Sequence, residues 1–306
     1  MTGVDLTAEL TSLENCADRS SKNPRPVAVD RTKQLLFFFH VPKTGGRTIV
    51  HALVRKFGRQ RIIGLNKKSS KAFFVDLLHA KKFLLPPSVR EGELYDSHIV
   101  GHVASLSIIE GRESKYHKAC FWRHPADWFL SYYNWRNHKD EDRQKRGYSF
   151  SDFVKSLSHN PMSQDLLLYC GDVPGWKYFF MSDRRKFERA LSIAKQFDLF
   201  ADISRVDGYL DATGCGKTEG IEYRNKIPKK EKALRALDPK MRRRLERLNP
   251  VDYYIHRVAL DQDRAQAISE AVRALTRRFE FRDLVRLIAR PYYRLKVKFI
   301  PFFALG

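Results

Sequence analysis

The chain has 306 residues, 43% of them hydrophobic, which is enough to bury a full core and too apolar for a disordered protein. Lysine and arginine number 57 against 35 aspartates and glutamates, a formal charge of +22. The expected partner is therefore anionic (nucleic acid, an acidic membrane, a phosphorylated or sulfated ligand, or an acidic polymer), with a solvated basic surface as the plain alternative. Cysteines 16, 120, 170 and 215 form no CxxC pair and the histidines show no metal-ligand spacing, so neither a zinc site nor a disulfide framework is expected.

Residues 1–34 are polar and lack a basic start followed by an apolar run, so they read as a disordered leader and not as a signal peptide. No apolar run reaches the roughly 18 residues of a membrane-spanning helix, and a cytoplasmic protein is expected. LLFFFHV (35–41) reads as a buried strand, followed by helices over 47–58 and 70–83. ELYDSHIVGH (93–102) and HKACFWR (117–123) are the next strands; Pro125 suits the first position of a helix over 125–138, and Ser149 or Ser151 caps one over 150–158. A helix over 183–195 leads to the strand FDLFADIS (197–204). Helices over 229–247 and 261–280 close the chain, with Asp238-Pro239 opening a basic stretch. Strands alternating with helices imply an α/β fold whose central parallel sheet is flanked by helices, with ligands at the carboxyl ends of the strands. The domain spans 35–280, and 281–306 form a basic and aromatic tail.

Within this pattern, HVPKTGGRT lies between a strand and a helix, where backbone N–H groups and the positive helix end converge on an anion site. Gly45 and Gly46 allow close backbone approach, while Lys43 supplies charge and Thr48 a hydroxyl. The lysine precedes the glycines, so this is not the GxxxxGK[ST] of nucleotide triphosphatases. In CFWRHPADWFLSYYNWR, Arg123 ends a strand, where it suits bidentate contact with a phosphate, and Ser131 lies two turns into the following helix. The aromatics around them read as core.

Together the two stretches resemble the 5'-phosphosulfate loop and the 3'-phosphate motif of sulfotransferases that use 3'-phosphoadenosine 5'-phosphosulfate. They are most similar to the carbohydrate branch that holds the heparan sulfate 2-O and 6-O enzymes and bacterial relatives. IVGHVASL (99–106) resembles the segment carrying the catalytic histidine of the 2-O enzymes, and 223–256 the family's Asn-Lys turn and closing helices. Two positions depart from the pattern: Arg47 stands where Thr or Ser is usual, and Trp128 where an arginine often follows.

The resemblance implies a three-layer P-loop-like fold and sulfuryl transfer from that donor to a hydroxyl of a glycan or glycolipid, without metal. It makes Lys43 the stabiliser of the leaving oxygen. The N–H groups of Thr44, Gly45, Gly46, Arg47 and Thr48 hold the 5'-phosphate, Arg123 and Ser131 the 3'-phosphate, and Arg224, Asn225 and Lys226 reach the nucleotide. His102 is the expected base, with His98 and His40 as competitors and His40 assigned to orienting the loop. A kinase-like enzyme and a non-catalytic binder of nucleic acid or acidic polymer are the alternatives. The tail is a candidate for contact with anionic lipid at the inner membrane face, against a packed final helix and strand.

Overall fold

A computed structural model describes residues 33–65, 97–139, 149–157, 159–216, 236–260 and 264–277. Residues 1–32 of the predicted leader, the helix over 70–83, Arg224, Asn225, Lys226 and the tail lie outside these residues.

The run of five apolar residues Leu35–Phe39 forms β1, buried along its whole length. In a strand, successive side chains point to opposite faces. Leu35, Phe37 and Phe39 accordingly join one core and Leu36 and Phe38 the other. Such a strand needs cover on both sides, which only a parallel sheet between helical layers provides. Strands β2 (Ile62–Leu65), β3 (His98–Gly101), β4 (Tyr116–Trp122) and β5 (Leu199–Asp202) complete an all-parallel sheet in the order β2-β3-β1-β4-β5. The three-layer α/β expectation holds.

Helix α1 (Gly46–Phe57) covers one face through Ile49, Ala52 and Leu53, together with a later helix, α7 (Val206–Ala212). The other face carries the larger core. It is built by α2 (Pro125–Lys139), α3 (Phe150–Ser156), α4 (Pro161–Asp165) with the π turn Leu166–Cys170, α5 (Gly175–Phe180), α6 (Asp183–Ala194), α8 (Pro239–Leu248), α9 (Pro250–Leu260) and α10 (Arg264–Arg277).

Element ends follow local chemistry. Ser149 caps α3 by accepting from Asp152 N at 3.1 Å. Of the basic helix expected over 229–247, residues 229–235 lie outside the described residues; α8 begins at Pro239, where Asp238 is extended and its carboxylate accepts from Met241 N at 2.8 Å. Strand β2 was not anticipated.

The order places β1 between β3 and β4. From β1 the chain crosses through α1 to the β2 edge, and after β3 it passes to the other side of β1. This reversal leaves a crevice at the carboxyl ends of β1 and β4, where a parallel sheet of this kind binds ligands.

Candidate active site

The loop after β1 is shaped by unusual backbone. Lys43 has φ 69° and Gly45 φ 81°, both left-handed, on either side of Thr44. Alternating hands of this sort turn successive N–H groups toward one side, a concavity suited to an anion. Thr44 is wholly buried, and both its N–H (3.3 Å) and its hydroxyl (2.8 Å) donate to the Val41 carbonyl. The Gly46 N–H donates to Nε2 of His40 at 3.0 Å. Those two N–H groups, expected to face an anion, are thus engaged inside the loop and fix its curvature. Helix α1 then starts with no side-chain cap and no acidic residue in its first turn, while Arg55 and Lys56 occupy its last. Its positive end is aimed at the crevice.

The segment after β4 grips this loop from the side. Arg123 donates to the Lys43 carbonyl at 3.3 Å, and the indole N–H of Trp128 to the Pro42 carbonyl at 2.6 Å. Burial lowers the proton affinity of Arg123, and the nearby Asp127 and Asp202 oppose that change. On α2, Trp128, Ser131 and Trp135 share one face at helical spacing. The face is turned to the loop, since Trp128 bonds it and Lys43 Nζ lies 5.3 Å from the Trp135 ring centroid. Ser131 therefore lies on the side facing the crevice. At the departure noted in the sequence, Trp128 is a buried brace for the loop. Arg47, the other departure, is exposed.

The three histidines separate cleanly. His98 opens β3, so it is about 10 Å from the loop end of that strand at the usual rise per residue. It is buried against Phe57, its Nδ1 accepts from Leu36 N at 3.0 Å, and burial followed by Arg61 and Lys56 takes its pKa down to about 4. His98 is a sheet-end residue.

His40 continues the ladder by donating its N–H to Gly101 O at 2.8 Å and serves Gly46 through its ring. Burial first, then His102, Lys43 and Arg47, holds its pKa well below the usual value, so it stays neutral.

His102 is half-buried at the carboxyl end of β3, with its ring centroid 4.0 Å from that of His40. Its Nδ1 is 2.7 Å from the His40 carbonyl. A carbonyl only accepts, so the proton sits on Nδ1 and the lone pair on Nε2.

Two residues were not singled out from the sequence. Asp202, the last residue of β5, pairs with His256 Nε2 at 3.0 Å and accepts from Ser204 N at 2.9 Å beside Arg123. An acid ending a strand next to an arginine-ended strand was the available signal. Trp135 gave none beyond its helical phase with Ser131.

A family model described as the sulfotransferase family matches residues 25–256, which takes in the loop, both strand ends and His256. The chain belongs to the sulfotransferase family. No curated protein and no solved structure matches it. The sulfuryl group that a sulfotransferase transfers is anionic, and the crevice gathers Lys43, Arg123 and the N-terminus of α1, a concentration of positive charge suited to an anion. Among the described residues, no group of three His, Cys, Asp or Glu side chains is placed to hold a metal, and no helix is long and apolar enough to cross a membrane.

Proposed function

We propose that this sulfotransferase moves the sulfuryl group of 3'-phosphoadenosine 5'-phosphosulfate to a hydroxyl of a carbohydrate or glycolipid, in the manner of the branch its motifs resemble. The observation that carries the reading is the joining of two cationic strand ends: Arg123, after β4, donates to the carbonyl of Lys43, after β1. A donor with phosphate at both ends suits such a pair. Lys43, Arg47 and Thr48, with the loop N–H groups other than those of Thr44 and Gly46, hold the 5'-phosphosulfate, and Arg123 with Ser131 holds the 3'-phosphate.

The acceptor oxygen attacks sulfur as the bond from sulfur to the 5'-phosphate oxygen breaks. Adenosine 3',5'-bisphosphate leaves with that electron pair, Lys43 neutralises the leaving oxygen, and Nε2 of His102 takes the hydroxyl proton. Positioning and charge neutralisation supply the rate, as in phosphoryl transfer.

Calorimetric titration of the full chain tests the donor. Adenosine 3',5'-bisphosphate is expected to bind, with Lys43→Ala and Arg123→Ala each weakening it by about 1.5–3 kcal/mol, the value of one charge-assisted contact. Unchanged affinity in both variants, or a preference for ATP with magnesium, would remove the assignment. Donor-dependent sulfate incorporation across glycans, glycolipids and small alcohols tests the acceptor, and incorporation confined to non-sugar alcohols would overturn that half.

A further inference from the structure

The ammonium group of Lys43 has a defined neighbour, the half-buried Trp135 ring, with Nζ 5.3 Å from the ring centroid. The backbone of Lys43 is pinned, because its own carbonyl accepts from Arg123 and the preceding carbonyl, of Pro42, accepts from Trp128. The indole is held as well, stacked on Tyr132 with centroids 5.6 Å apart and planes 17° apart. What moves is the lysine side chain, through its four rotatable bonds. A cation over a half-exposed indole is held less tightly than one donating a charge-assisted hydrogen bond to a phosphate oxygen.

We propose that Trp135 is a positioning residue for Lys43: the ammonium rests on its indole and swings to the donor by side-chain rotation alone, over an unmoved loop. The proposal rests on the reading of Lys43 as the donor-binding lysine. It gives Trp135 a role that depends on its ring. Nucleotide binding must then change the environment of Trp135, and must do so through Lys43.

The test is intrinsic tryptophan fluorescence of the full chain titrated with adenosine 3',5'-bisphosphate, with calorimetry in parallel on the same samples. The wild type is expected to change its emission on saturation. That change is expected to be lost in Trp135→Phe, which still binds by calorimetry and is therefore folded, and lost again in Lys43→Met at saturating bisphosphate. A change of undiminished size in either variant would overturn the proposal and leave the donor reading standing. Failure of Trp135→Phe to bind while the wild type binds would make the ring part of the nucleotide site itself, which also overturns it. Absence of calorimetric binding in the wild type would instead remove the donor reading, and this inference with it.

Discussion

A Cβ at position 46 would lie 2.0 Å from Cδ2 of His40, so glycine there is imposed by the histidine that accepts its N–H. The same histidine offers its carbonyl to Nδ1 of His102. One residue thereby ties the loop after β1 to His102, and it is suited to this because burial among cations keeps its ring neutral and its Nε2 an acceptor. The tautomer of His102 is set by a backbone atom, which persists whatever side chain stands at position 40. On the proposed mechanism, replacing His102 removes the group that takes the proton and leaves the nucleotide contacts in place. His102→Ala is expected to lose roughly 10²- to 10⁴-fold in turnover with bisphosphate affinity kept. His98→Ala is expected to lose stability instead, on the order of 1–3 kcal/mol, because the Leu36 N–H it satisfies becomes a buried orphan. Steady-state kinetics beside denaturant melts separates the two. Near-normal turnover in His102→Ala would assign the base to another residue.

At the scale of elements, β1 and β4 with the turns after them make the site, and both were legible because an unbroken apolar run ending in Pro-Lys or Arg-His has few other readings. Strand β2 was not. Its four residues, IIGL, include an exposed glycine, and their place comes from pairing with β3 and not from their own pattern. The π turn LLLYC was missed for the opposite reason: it is apolar all round and buried throughout, so it has no period to read. Of the site, Lys43, Arg123 and His102 were legible as charge and imidazole at strand ends. Trp128 was not, because an aromatic in an aromatic helix looks like core, and nothing in its spacing signals that its N–H reaches Pro42. That bond joins α2 to the loop. Trp128→Phe keeps the packing and strands the carbonyl, so a loss of about 0.5–1.5 kcal/mol in stability is expected. Bisphosphate affinity is expected to fall with it, because the loop is less fixed before binding. Loss of stability with affinity unchanged would mean that the brace serves the fold alone.

For the whole molecule, acid is the condition to watch. Burial lowers the pKa of His98 and of His124 to about 4 and that of His40 well below its usual value. A histidine depressed in this way contributes stability above its unfolded pKa of about 6.5 and loses it as pH falls toward the folded value, because the unfolded chain takes the proton first. Two carboxyls act in the other sense. Burial raises Asp252 to about 7 against the donors Ser163 and Met162, and raises Asp172 against Ser105 and Ser107. Each contributes stability at low pH that is lost as pH rises through its folded pKa. Between pH 6.5 and 4 the three histidines favour the unfolded state and the two carboxyls oppose them, each net proton being worth about 1.4 kcal/mol per pH unit. Below that window Asp198 and Asp202, whose hydrogen bonds and ion pairs lower their pKa, extend the same slope. Against a typical total of about 5–15 kcal/mol, one net proton across this window lowers the stability without by itself unfolding the chain. Urea midpoints measured from pH 7 down to 4 should fall continuously, and His98→Gln, which keeps an acceptor for Leu36 N–H, should flatten the slope by about one proton. A midpoint that is level or rises toward pH 4 would show that the buried carboxyls, and not the histidines, govern the stability of this chain.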